Sequence, residues 1–283
     1  MTGIRLLATV GIALAGVGPV DGQVSVATPP AGMLADQRPF PDTVNACAPA
    51  SLLNFLACGG DRLAPARESI AGRDSATRLR FVIERYFESR KSVVFPGWSR
   101  WGVHGVQDAD LATSILELLD ESGTAPVEAA WLEKRKGETA ADHQARIHGL
   151  IETSLRRGVG PILSLRAYRG RLPAEGREGG WQLVRQHFVV IVALPDEHPP
   201  GALGFPARAI DSNGAREVSL RLFTEPAGRP FRALLGTEET GAWLDGRPFL
   251  LVHAPESIRA LRPARLEWGE RFHVTASFLI GDF

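Results

Sequence analysis

Three residues of this chain have the types and order that could carry out nucleophilic chemistry. Cys47 lies in Asn45-Ala46-Cys47-Ala48-Pro49-Ala50-Ser51, and a short helix is expected from about Ala48 to Ala57. A thiol at a helix amino terminus meets unpaired backbone N–H groups and the positive end of the helix dipole, which favour thiolate. His187 opens the apolar run Phe188-Val189-Val190-Ile191-Val192, expected to be a strand, and Asp211 closes another at Ala207–Ile210. A polarised sulfur, an imidazole to move its proton and a carboxylate to orient the imidazole are what thiol catalysis requires.

Taken singly, each residue also has a structural explanation. A cysteine near a helix start packs as a small core residue, and a histidine before an apolar run is often just a strand edge. Asp211-Ser212-Asn213-Gly214 is ordinary turn chemistry, and Asn213 is a rival to Asp211 for the orienting role. The order of the three is what points to catalysis.

The elements that must hold these residues follow from periodicity and punctuation. Residues 23–40 are rich in Pro and Ala and suggest an extended lead-in. The helix after Cys47 should stop at Gly59-Gly60. Further helices are expected over Thr77–Glu88, Asp108–Leu119 and Ala140–Arg157, each with apolar residues at helical spacing. Strands are expected at Pro161–Leu165, His187–Leu194, Ala207–Ile210, Phe249–Ala254 and His273–Ile280, with an exposed loop over 169–180. Helices first and antiparallel strands last argue for an α+β fold. No internal repeat is visible.

The 283 residues divide into a leader and one domain. Residues 1–22 have the layout of a signal peptide: Arg5, then an uncharged apolar run over Leu6–Val17, then small residues. That run is too short to span a bilayer, so an exported protein without stable membrane insertion is expected, residues 23–283 forming its single domain. Lysine plus arginine equals aspartate plus glutamate, 32 each, so no charge footprint suggests nucleic acid. The two cysteines, Cys47 and Cys58, would lie roughly 16 Å apart on one helix, beyond disulfide reach. Two free thiols are unusual in an exported protein; Cys58 reads as a buried core thiol, and catalysis would justify Cys47.

Cys47-Ala48-Pro49-Ala50-Ser51 opening a helix, the helix–Gly–x–Pro–strand unit at Leu155–Leu165, the His187 strand and the strand ending in Asp211-Ser212-Asn213-Gly214 occur in a familiar order. Over about residues 37–215 they resemble the papain-like cysteine peptidases, in the branch that processes double-glycine leaders of bacteriocins. The resemblance implies a papain-like fold, Cys47 as nucleophile, His187 as general base and Asp211 as the orienting carboxylate. That family usually has glycine after the cysteine, where this chain has Ala48. It also has an oxyanion-binding glutamine about six residues upstream, where this chain has Pro41. Gln37, ten residues upstream, and Asn45 are the candidates for that role.

The expected activity is therefore hydrolysis of a peptide or amide bond in a peptide or protein substrate, without a cofactor. Alternatives on the same fold are a non-hydrolysing peptide-binding domain and a transglutaminase-like acyltransferase. Trp98, Trp101 and His104 lie in a Gly-rich loop that could line a cleft or pack against the next helix. His143 and His148 are five apart, missing the i, i+4 spacing of a helical metal pair. No Cys-x-x-Cys or His-Glu-x-x-His occurs, so no metal is expected. The last seventy or so residues have no counterpart in the resemblance.

Overall fold

A computed structural model describes residues 22–38, 45–102, 105–171, 181–199, 201–224, 233–234, 243–244, 249–262, 265–267 and 270–283. The expected signal peptide lies outside the described residues, except Gly22, as do His104 and Pro41. The elements in chain order are β1 (Gln23–Ser25), α1 (Cys47–Ala57), α2 (Ala64–Ser69), α3 (Ser75–Val82), α4 (Asp108–Glu121) and β2 (Glu128–Trp131). There follow α5 (Ala140–Arg156), β3 (Ile162–Arg171), β4 (Trp181–Pro195), β5 (Gly204–Asp211) and β6 (Arg216–Phe223). A two-residue pair, β7 (Ala233–Leu234) and β8 (Trp243–Leu244), precedes β9 (Leu250–His253), α6 (Pro255–Leu261) and β10 (Glu270–Gly281).

Local sequence accounts for the helix limits. Asp74 and Thr77 form a reciprocal capping box at the start of α3, and Thr139 and Asp142 form another at the start of α5. The helix expected over Thr77–Glu88 is present, but its second half, Ile83–Glu88, is a π-helical turn. The lead-in is not featureless. It contains β1, which pairs with the end of β4, and a 3-10 turn at Ala31–Met33. The expected loop over 169–180 begins later, since Arg169–Arg171 belong to β3, and 172–180 lie outside the described residues.

The fold is mixed, helices with an antiparallel sheet, as the sequence suggests. Six strands pair in the order β4-β3-β10-β9-β6-β5, and β5 returns to pair with β4, closing the ring. All of these pairings are antiparallel. Alternation along each strand divides the apolar residues into two cores. Phe188, Val190 and Val192 join α1, α3 and α4 in one core through Leu52, Phe55, Leu79 and Ile115. Val189, Ile191, Leu163, Leu165, Ala209 and Leu220 meet on the opposite face, joined by Ile147, Ile151 and Leu155 of α5. Gly160, between α5 and β3, permits a close approach to β4: a Cβ there would lie 2.8 Å from the Ile191 carbonyl oxygen. None of the described helices is long and apolar enough to cross a membrane.

Candidate active site

Cys47 is the first residue of α1, a helix with Ala46 at its N-cap and no side-chain cap. Its thiol is half-buried, whereas Cys58, beyond the other end of the helix, is buried. Burial pushes the Cys58 thiol up to about 12, so that thiol stays protonated in neutral solution. The two cysteines are free thiols with different surroundings.

His187 does not open its strand. β4 begins at Trp181, so the histidine sits well inside it, opposite Leu165 of β3. What makes room for the ring on the other edge is the end of β5. The β4–β5 ladder stops at Val189↔Asp211, leaving β4 without a β5 partner from Phe188 outward. The Phe188 carbonyl instead accepts a 2.9 Å hydrogen bond from the Ser51 hydroxyl, buried at the start of the second turn of α1. This strap fixes the helix that carries Cys47 against the strand that carries His187.

Asp211 is the last residue of β5 and is fully buried. Its Oδ1 lies 2.7 Å from His187 Nε2 and also accepts the Asn213 backbone N–H at 2.8 Å. Asn213 thus supports the carboxylate through its main chain. The other carboxylate oxygen, Oδ2, accepts the Ser257 hydroxyl at 2.8 Å. Ser257 is completely buried on α6, in the part of the chain that has no counterpart in the resemblance. No sequence signal marks it: its partner is forty-six residues away and the surrounding Pro-Glu-Ser is an ordinary helix start.

The electrostatics follow from these contacts. Burial alone would strip the proton from His187, and it is the largest single influence on the ring. Hydrogen bonds and charge from Asp211, together with a hydrogen bond and charge from Cys47, outweigh it and raise the imidazole to about 10. With Nε2 committed to Asp211, the ring has Nδ1 left for the sulfur. Burial acts upward on the Asp211 carboxyl, but the His187, Asn213 and Ser257 hydrogen bonds bring it below the usual carboxylate range. Thiol, imidazole and carboxylate therefore adjoin in one row, with the imidazole between the other two.

No family model matches this chain, and no curated protein or solved structure is significantly similar to it.

Gln37 comes in at the far end of the row. Its backbone N–H bonds the Ser212 carbonyl at 3.0 Å, and its side-chain oxygen meets the Ser212 hydroxyl at 3.5 Å. Its segment is locked there by Asn54, whose amide makes reciprocal bonds with the backbone of Ala35, and by Asp36, which accepts the Gly214 N–H. The connection from Gln37 to Cys47 passes through 39–44, outside the described residues. Asn45, half-buried two residues before the cysteine, lies beside Gly105, where a Cβ would be 3.5 Å from its own.

The other titratable groups singled out in the sequence have structural partners. His143 and His148 each lie within hydrogen-bond reach of a backbone carbonyl, Leu132 at 2.7 Å and Pro195 at 2.8 Å. Burial lowers both imidazoles. Trp101 packs against the helical core, and Trp98 is exposed.

Proposed function

We propose that this protein is a papain-like cysteine hydrolase that cleaves a peptide or amide bond through Cys47, His187 and Asp211. The observation that carries the reading is the buried His187 imidazole held between the Asp211 carboxylate and the Cys47 sulfur. An imidazole raised to about 10 is charged at neutral pH, ready to give its proton to a leaving group.

The reaction then has two halves. The Cys47 thiolate attacks the substrate carbonyl carbon, and the electron pair of the C=O moves onto oxygen. The resulting oxyanion is received by the Cys47 backbone N–H and by the side-chain amide of Asn45, since Gln37 is held at Ser212, at the carboxylate end of the row. As the tetrahedral centre collapses, His187 protonates the departing amine and a thioester to Cys47 remains. Neutral His187 then takes a proton from water, the hydroxide adds to the thioester, and the acid leaves as the Cys47 thiolate is regenerated beside the imidazolium. Asp211 keeps Nδ1 aimed at the sulfur and stabilises the imidazolium in each half.

Incubation with an activated peptide ester tests this directly. Acid quenching should trap an acyl group on Cys47, detected by mass spectrometry, with a burst of alcohol release that Cys47→Ser abolishes. Peptide binding without any acyl adduct would favour the non-hydrolysing alternative. Capture of the acyl group by added amines in preference to water would favour the acyltransferase.

A further inference from the structure

We infer that the hairpin Lys91–Ser99 is a recognition site for the polypeptide substrate, one that holds an extended segment by its bulky apolar side chains beside the scissile bond. The inference rests on the hydrolase reading for its substrate class, and on three observations of its own.

The first is the tip. Val93, Val94 and Trp98 are 54%, 41% and 56% exposed, three large apolar side chains presented together within six residues. The Phe95 ring lies 6.2 Å from that of Trp98. Several large apolar side chains exposed on one short hairpin are a feature of interaction sites, and Trp is among the residues enriched where binding energy concentrates.

The second is rigidity. Lys91 and Ser99 close the hairpin by a β-bridge, and the Ser92 N–H bonds the Trp98 carbonyl at 2.9 Å. The buried Ser92 hydroxyl donates to Asp110 Oδ2 at 2.7 Å and accepts the N–H groups of Val94 and Phe95. Asp110 Oδ1 accepts the Val93 N–H at 2.7 Å. An exposed apolar tip with so braced a backbone loses little freedom when a ligand docks.

The third is position. Asp110 lies in the first turn of α4, about 3 Å along the axis from Asp108. Asp108, almost fully buried, accepts the Gln186 side chain at 2.6 Å and pairs with buried Arg166. Gln186 directly precedes His187. Three residues before α4, Gly105 meets Asn45, which is two residues before Cys47. The segment 105–110 thus contacts Asn45, two residues before the thiol, and Gln186, next to the imidazole, and within it Asp110 holds the base of the hairpin. That continuity with the candidate site selects a substrate polypeptide as the occupant.

The test uses the full chain with Cys47→Ala, so that binding is read without turnover, and fluorescein-labelled β-casein as an unstructured polypeptide probe. Replacing Val93, Val94 and Trp98 together by Ser should weaken casein binding at least about tenfold by fluorescence anisotropy. In the protein that retains Cys47, the same substitutions should leave alkylation of that thiol by iodoacetamide unchanged. Trp98→Ala alone, a smaller change, should give the same effect in weaker form. Unchanged casein affinity in both variants overturns the proposal. So does a loss of casein binding that accompanies dissociation of a dimer in sedimentation, or transfer of the wild-type chain to phosphatidylglycerol vesicles that the triple variant lacks. A hydrolase reading that fails leaves its own mark, since Cys47 would then show no His187-dependent reactivity in any of these proteins.

Discussion

At Asp211 both carboxylate oxygens are committed, one to His187 and the Asn213 N–H, the other to Ser257. Ser257→Ala strands a buried oxygen that carries charge, so a loss of about 1–3 kcal/mol in stability is expected. It also frees the carboxylate to turn away from the ring. The hydrolysis rate should fall about tenfold or more, as when a group that orients a catalytic residue is lost, and the effect should appear in kcat rather than KM. A merely structural serine would change thermal stability alone. The pH dependence of the site belongs to this scale as well. Imidazolium, the form that protonates the leaving amine, is retained up to about pH 10. Amide hydrolysis should therefore decline as the pH rises through about 10, while alkylation of Cys47, which needs no proton donor, should not.

The elements do the positioning, and they differ in how openly sequence declares them. Helices α1, α4 and α5 are legible because apolar residues recur at helical spacing between clear stops. Strand β4 was legible only from His187 onward, since Gln182–Gln186 are exposed or half-buried and carry no apolar run. β6 alternates Val218, Leu220 and Leu222 inward, a period-two pattern inside a charged sequence. α6 is short and charged, so neither its existence nor Ser257's partner could be read locally. The candidate triad was legible for a different reason: each member stands at a place where a regular element starts, or where a neighbouring one ends. The strap between α1 and β4 gives the prediction proper to this scale. Ser51→Ala removes the hydroxyl that bonds the Phe188 carbonyl and should cost about 1–2 kcal/mol by denaturant unfolding, with slower Cys47 alkylation. Asp74→Ala, which breaks the α3 capping box far from the site, should cost about 1 kcal/mol and leave alkylation unchanged.

For the molecule as a whole, closure of the sheet makes the C-terminal residues indispensable. β10 pairs with β3 on one side and β9 on the other, and α6 supplies Ser257 to the site. A chain ending at residue 248 should show no cooperative thermal transition, which circular dichroism would reveal. Stability against pH should also carry the signature of the buried pair. A group raised on folding, such as His187, adds stability that is complete below about 6.5, the ordinary imidazole value, and is lost as pH rises through about 10. Asp211, lowered on folding, adds stability above the ordinary carboxylate value of 3.8 that is lost in stronger acid. The difference in melting temperature between wild type and His187→Gln should therefore be greatest between about pH 4 and 6.5 and shrink towards pH 10.

The most direct test of the central claim is the rate of iodoacetamide modification at each cysteine near pH 7, read by peptide mass spectrometry. Cys47, half-buried beside the imidazole, should react at least about a hundredfold faster than Cys58, whose thiol is buried and held up at about 12. His187→Ala should remove most of that advantage. Equal, slow labelling of both thiols, or a Cys47 rate that survives loss of the imidazole, would contradict the account.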